Sequence, residues 1–405
     1  MNDWERKQLG EVCQIIGGGT PSKSNNAFYL GDIPWATVRD MKQDLLSKTE
    51  FRITKEAVKN SATNIIKKGN VVIATRVGLG RICKLEQDTA INQDLRGIIP
   101  YDSNDLSEEF LFWWFKSIST LIEKAGIGLT VQGVKLPFIK SLQISVPPLP
   151  EQKRVVAIVD NAFEGIDRAI ANTEKNLTNA RELFESYLNT AFTQKDDGWV
   201  EKKLGDIALL SRGQNPPKSK FVSRPQEGYV RFYQIRDGKT DDYEVYVPDT
   251  PQLHRVEPDD ILMVAYRHIG RVFRGASGAF NVALCKIKNK DRLVLHDDYL
   301  FHIIPTDFVR GELMKQAERS LIPSMSVKHL AEIKIPVPPI AEQEIIVSKI
   351  NKIQNETQRL EAIYQQKLAA LNELKQTILQ KAFAGELTAD IANQATKNAE
   401  GAIAA

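Results

Sequence analysis

Val146-Pro147-Pro148-Leu149-Pro150-Glu151-Gln152 returns 191 residues later as Val337-Pro338-Pro339-Ile340-Ala341-Glu342-Gln343. Each copy marks a change in the chain. Before it come short β-rich runs and glycine-rich loops; after it, glycine and proline nearly vanish for about 40 residues. Prolines followed by Glu-Gln predict a helix start, because proline lacks the amide that a helix N-terminus leaves unpaired and an acid favours that end. Beyond the first joint, Val155, Val159, Ala162, Ile166, Ala169, Thr173, Asn176, Ala180, Leu183 and Tyr187 alternate spacings of four and three. The same offset gives Ile346, Ile350, Ile353, Thr357, Leu360, Tyr364, Lys367, Leu371, Leu374 and Ile378. A stripe repeating every 3.5 residues is buried best against a second such helix. The two helices are therefore expected to pair as an antiparallel coiled coil, since a parallel pair would make the second globular domain bridge the full helix length. Residues 151–193 would extend ~60 Å at 1.5 Å per residue.

Outward from the joints, the rest of the chain also repeats. Trp4-Glu5-Arg6-Lys7-Gln8-Leu9-Gly10-Glu11 returns as Trp199-Val200-Glu201-Lys202-Lys203-Leu204-Gly205-Asp206. Val38-Arg39-Asp40 returns as Ile235-Arg236-Asp237, and Gly69-Asn70-Val71-Val72-Ile73 with Gly80-Arg81 returns as Asp259-Asp260-Ile261-Leu262-Met263 with Gly270-Arg271. A period near 190 is too long for a solenoid repeat. It describes a whole domain of mixed α/β (α+β) character, duplicated, each copy followed by a long helix.

Composition agrees with two or more folded domains. The chain has 405 residues, beyond the ~250–300 at which a single core stops growing. Apolar runs such as Val71-Val72-Ile73-Ala74 are far short of the ~20 residues that span a bilayer, and MNDWERKQLG carries no signal-peptide core. Cys13, Cys83 and Cys285 are odd in number and widely spaced, which excludes a disulfide framework and a thiolate zinc site and predicts a cytoplasmic home without a membrane partner. Net charge is only +3, but its partition is informative. Residues 1–150 hold 19 Lys and Arg against 16 Asp and Glu, and residues 198–341 hold 22 against 18, whereas the helices are mildly acidic. Basic modules on an inert spacer fit a nucleic-acid partner, since phosphate neutralisation needs Lys and Arg.

Catalytic motifs are mostly missing. Asn215-Pro216-Pro217-Lys218 resembles the loop that grips a flipped adenine in amino-methyltransferases, but lysine stands where an aromatic must stack on the base. Gly78-x-Gly80 lacks its third glycine at Cys83, and no phosphate-binding G-x-x-x-x-G-K-[ST] exists. Glu332-Ile333-Lys334 matches the tail of a nuclease site but is expected in a strand leading into Pro336. All five histidines lie in the second half, so a duplicated metal site is excluded, and no metal is expected.

What recurs is a set of basic residues in loops. Arg39 and Arg236 follow a short β-like run; Arg76 and Arg267 follow a hydrophobic strand; Arg81 and Arg271 follow a glycine just beyond it. Arginine offers a rigid fork for phosphate or a guanine edge, and glycine lets backbone approach a ligand. Lys23, Lys135, Lys218, Lys220, Arg274 and Lys328 are further candidates, and Tyr266, Trp35, Phe232 and Tyr233 are aromatics placed to stack or to fill the core.

The W-x-x-x-x-L-G-[ED] opening, the Gly17-Gly18-Gly19-Thr20-Pro21-Ser22-Lys23 loop, the strand with its following Gly-Arg, the V-P-P-x-x-E-Q joint and helix ends at Thr190-Ala191-Phe192 and Lys381-Ala382-Phe383-Ala384-Gly385-Glu386-Leu387 together resemble the specificity (S) subunit of type I restriction-modification systems. That resemblance implies a target-recognition domain over 1–150, a spacer helix over 151–197, a second recognition domain over 198–341, a second spacer helix over 342–387 and a fraying tail over 388–405. It implies a non-catalytic chain whose two domains each read half of a split, asymmetric sequence in double-stranded DNA. The helices would set the unread gap and dock two methyltransferase (M) subunits, with restriction (R) subunits joining the full complex. S-adenosylmethionine, ATP and magnesium would belong to those partners, none to this chain. A self-sufficient methyltransferase or nuclease, or a pure coiled-coil scaffold, are the competing readings.

Overall fold

The computed structural model describes residues 4–126, 133–193, 198–317 and 325–387. It divides into two compact units: Met1–Thr173 with Gln366–Ala405, and Glu174–Gln365. The division thus cuts both long helices. The expected tail over 388–405 lies outside the described residues.

In the first unit the all-apolar strand Val71–Ala74 lies at the centre of a five-stranded sheet, ordered Cys13–Gly17, Leu95–Pro100, Val71–Ala74, Ile82–Leu85, Leu45–Leu46. Side chains alternate across a strand. Val71 and Ile73 therefore join Phe110, Leu111 and Phe115 of the helix Glu108–Ser117, while Val72 and Ala74 join Cys83, Leu85 and Ile91 on the other face. A four-stranded sheet (Phe51–Ile53, Ile33–Ala36, Thr89–Ile91, Asn64–Ile66) places Trp35 opposite Ala90 in a parallel pair. Trp35 is buried, so this aromatic fills the core.

The second unit repeats the plan. Ile261–Val264 splits its side chains in the same way, with Ile261 and Met263 in one core and Leu262 and Val264 in another. Its second sheet sets buried Phe232 opposite Ala279, again in parallel.

The joint recurs together with the Trp-Leu-Gly opening because the two are strand partners. Glu5–Gln8 runs antiparallel to Gln143–Val146, and Val200–Lys203 to Lys334–Val337. The glutamine that closes each joint is fully buried. Gln152 Nε2 donates to the carbonyls of Pro147 (2.8 Å) and Asp105 (2.6 Å), and its Oε1 accepts the Ser107 N–H (2.9 Å). Gln343 repeats this with Pro338 (2.8 Å), Val294 (2.9 Å) and the His296 N–H (2.7 Å).

The helices run Leu149–Ala191 and Ile340–Phe383. In the first unit Val155, Val159 and Phe163, near the start of one, share a core with Leu379, Ala382 and Phe383, at the end of the other, and Lys375 pairs with Asp167. In the second unit Phe184, Tyr187, Leu188 and Phe192 pack with Ile346, Val347 and Ile350, and Arg181 Nε meets Glu361 Oε1 at 2.7 Å. Within each unit the pairing is therefore antiparallel.

Two expectations need correction. The 3.5-residue repeat holds, but one of its two positions in each heptad lies one residue later than expected. Leu183 is 70% exposed, and Leu360 and Leu374 also face outward; Phe184, Glu361 and Lys375 take the inward places. From Val159 the inward positions run Phe163, Ile166, Ile170, Thr173, Leu177, Ala180, Phe184 and Tyr187, and in the second helix Val347, Ile350, Gln354, Thr357, Glu361, Tyr364, Leu368, Leu371, Lys375 and Ile378, with spacings of four and three throughout, as in a coiled coil. Second, Glu332-Ile333-Lys334 is no strand. Glu332 ends the helix Val327–Glu332, which Ser326 caps, and Lys334 opens the strand that follows. Glu332 Oε2 receives Lys203 Nζ at 2.7 Å, a surface tie.

Candidate nucleic-acid interface

In each unit the basic candidates gather at the turn that leaves the central strand. Arg76 lies just past Val71–Ala74 and Arg267 just past Ile261–Val264, both exposed. Arg76 leans 3.6 Å from Asp94. Arg267 has φ +62°, a left-handed backbone uncommon outside glycine, and its guanidinium lies 5.7 Å from the ring centre of half-buried Tyr266. The strand ends are joined to a helix start in both units: the Val134 N–H donates to Thr75 O (2.8 Å) and the Met325 N–H to Ala265 O (3.0 Å). These bonds bring exposed Lys135 beside Arg76, and exposed Lys328 into the same neighbourhood as Arg267.

The second group is built on a 3-10 turn. Val38–Asp40 and Ile235–Gly238 are each closed by a reciprocal cap: Thr37 N–H donates to Asp40 Oδ2 at 2.7 Å, and Gln234 N–H to Asp237 Oδ2 at 2.5 Å. Arg39 and Arg236 project from these turns into solvent, Arg236 over Tyr243 at 5.4 Å. Arg81 reaches back beneath its turn and donates from Nη1 to Val38 O (3.1 Å). Arg271 lies correspondingly beneath Ile235–Gly238, within 3.2 Å of where a Cβ on Gly238 would stand, with Nη2 buried and unpaired. Of these four arginines Arg39, Arg81 and Arg236 are exposed and Arg271 is half-buried, and Arg81 is in addition tied to its turn.

Lys23 is exposed in the loop after the three glycines, and Lys218 and Lys220 on the 3-10 turn Lys218–Lys220. Gly18 is glycine because a Cβ there would lie 2.2 Å from Ile91 O; Gly213 meets Phe280 O in the same way, at 2.3 Å. The close approach is to the protein's own strand. Asn215 accepts the Val282 N–H at 3.4 Å, so the Asn-Pro-Pro stretch is tied into that loop. Arg274 is committed: it pairs with Asp298, donates to Asp297 O and stacks 4.5 Å over Phe301.

Electrostatics at the remaining chemistry-bearing groups is quiet. Burial pushes all three thiols up to about 12, away from reactive thiolate. Among the described residues no group of His, Cys, Asp and Glu could hold a metal ion, and no helix is long and apolar enough to cross a membrane. Sequence reasoning missed Lys42 and Lys48, exposed beside Arg39. It also missed Arg231, buried between Asp237 (2.9 Å), Asp241 (3.2 Å) and Glu244 (3.0 Å). Lysine three places past Arg39 carries no motif, and Arg231 has no counterpart in the first half, where Pro34 stands.

The comparisons agree with this duplicated geometry. The model of the type I restriction modification DNA specificity domain matches residues 1–179 and again 196–370. The type I restriction enzyme MjaIX specificity subunit of Methanocaldococcus jannaschii is 23% identical, over 95% of this chain and 94% of that one. The EcoR124I/EcoR124II specificity subunit of Escherichia coli is 30% identical over 45% of this chain and 48% of its own length. Among solved structures, a chain from work on complex assembly and conformational transition of the type I R-M system superposes with a TM-score of 0.78 at 20% identity, covering 95% of this chain and 99% of that one. The HsdS subunit of Thermoanaerobacter tengcongensis gives 0.57 at 21%, covering 95% and 98%. With the matched domain present twice and spanning most of its length, the chain belongs to the type I restriction-modification DNA specificity family.

Proposed function

We propose that this chain is the non-catalytic reader of a type I restriction-modification complex, each recognition domain addressing one half of a bipartite, asymmetric site in double-stranded DNA. The observation that carries this reading is the basic edge built twice on the same scaffold: Arg39, Arg76 and Lys135 in one unit, Arg236, Arg267 and Lys328 in the other. Phosphate contacts position such a protein and groove contacts specify the sequence. Tyr266 lies beside Arg267, and Lys23, Lys218 and Lys220 add exposed cations on loops of the same units; Arg81, Arg271 and Arg274 hold the surface in shape. The paired helices act as the spacer that sets the unread gap and as the dock for two methyltransferase subunits, with restriction subunits completing the assembly in the cytoplasm. S-adenosylmethionine, ATP and magnesium serve the partners.

Single-molecule sequencing of N6-methyladenine in the host genome tests this directly. The expected result is methylation at one two-part motif with a fixed gap, lost when this chain is deleted and the methyltransferase subunit retained. Methylation of the same motif without this chain would overturn the reading, and labelled S-adenosylmethionine bound by the isolated chain would favour a self-sufficient methyltransferase.

A further inference from the structure

Beside the Val38–Asp40 turn, the first unit carries an open cleft of about 680 Å³ whose lining includes Arg39, Asp40, Lys42, Leu45, Lys48 and Glu50. Its three cations are exposed, and among the described residues none is engaged in an ion pair. Their basic neighbours are engaged: Lys67 with Asp88 (2.7 Å), Lys84 with Glu109 (3.2 Å), Lys116 with Asp44 (2.7 Å). The carboxylate of Asp40 is also engaged. Its Oδ2 receives Thr37 N–H (2.7 Å) and Thr37 Oγ1–H (2.9 Å), and its Oδ1 receives the Glu50 N–H (2.8 Å). Those bonds fix the Asp40 carboxylate in the framework of the cleft, and with Glu50 as the other acid of the lining the three cations outnumber the acids by one.

We infer that this cleft is a phosphodiester clamp, a place where the DNA backbone, rather than a base edge, is held by Lys42 and Lys48 with Arg39 at the rim. Two flexible lysines give point charges without the fixed fork that base discrimination needs. Among the described residues the second unit does not repeat the device. There Lys239 follows Arg236 at the spacing of Lys42, but Asp241, Asp242 and Glu244 come next. Asp241 and Glu244 fold onto Arg231, and the Arg236 guanidinium is covered on one face by Tyr243. The same turn therefore grips backbone in one recognition domain and offers no basic cleft in the other. This inference rests on the DNA-reading function proposed above.

The test uses the full chain assembled with its methyltransferase subunits, and measures DNA binding at several salt concentrations. K42Q/K48Q is expected to weaken binding about tenfold or more, equally on the cognate site and on DNA with an altered first half-site. The slope of log affinity against log salt should become shallower by about 1.8, at ~0.9 for each phosphate no longer neutralised. K42R/K48R should restore both. Unchanged affinity and slope in K42Q/K48Q would overturn the clamp, as would a changed first half-site preference, which would make the lysines base readers. If the unmutated complex fails to select any bipartite site, the function proposed above fails instead, so the two failures are distinct. A thermal melt of K42Q/K48Q checks folding; both side chains are exposed, so no shift is expected.

Discussion

Gln343 Oε1 accepts the backbone N–H of His296 at 2.7 Å, and Gln152 does the same for Ser107 at 2.9 Å. With its Nε2 on two carbonyls, each glutamine ties three separate backbone segments: the joint, the loop before a helix, and the first turn of a long helix. Burying these groups unpaired would cost ~1–3 kcal/mol apiece. Gln343→Leu is therefore expected to destabilise the second unit by about 3 kcal/mol, and Gln152→Leu the first by the same amount. Denaturant unfolding followed by limited proteolysis would show which unit opens; a loss under ~0.5 kcal/mol would contradict the role.

The two units should respond differently to acid. His302 Nε2 lies 3.0 Å from Asn351 Oδ1, on the face where the helix Asp297–Ile303 meets the second long helix. Burial, partly opposed by the Asn351 bond, holds its imidazole below the ordinary 6.5. The unfolded chain takes up a proton near that value that the folded chain refuses, so stability is lost as pH falls through 6.5 toward the lower folded value. The equivalent pair in the first unit is Trp113 Nε1–H on Asp160 at 2.8 Å, which has no imidazole to charge. Melting curves from pH 8 to 5 are expected to show the second unit weakening below 6.5, and His302→Gln to flatten that dependence.

The corrected phase of the helices has a clean substitution test. Leu183→Glu should change stability by less than ~0.5 kcal/mol, because the side chain already faces water. Phe184→Ala, one residue on, removes a ring packed against the core of the second unit and should cost ~2 kcal/mol or more. The opposite ranking in thermal melts would restore the register expected from the sequence.

Arg81, although exposed, is tied to a turn through the bond from its Nη1 to Val38 O. Arg81→Ala is expected to weaken DNA binding by the assembled complex about fivefold, the equivalent of one hydrogen bond of ~1 kcal/mol, by loosening the carbonyl of Val38. Arg39→Ala combined with it should add little, because the loosened turn already misplaces Arg39. Full additivity of the two losses would show that Arg81 binds DNA in its own right.

Much of this architecture was legible in the sequence. Duplication showed in spaced repeats, and the helices in their freedom from glycine and proline. The arrangement within each domain was less so, because it depends on partners distant in sequence. Nothing in Gly80-Arg81 reveals that its guanidinium lies under Val38. Nor do Trp113 and His302 look equivalent until each is found facing the same position of a long helix. The charge count found basic domains, but not which cations were already neutralised: Arg274 was spent on Asp298, whereas Lys42 and Lys48 were unspent.

The core of the first unit contains Leu379 and Ala382, and Phe383 stacks 5.0 Å from Phe110 across 273 residues of chain. Synthesis runs from the N-terminus, so the residues that complete the first-begun unit are made only after the second unit. Its apolar face around Phe110 and Trp4 must wait, uncovered, while the entire second unit is made. Folding of the first unit is thus tied to translation past Phe383, and a chain cut short before Leu379 exposes a sticky surface in the unit that was begun first. Premature stop products should accordingly aggregate or be degraded rather than persist as a half-length reader.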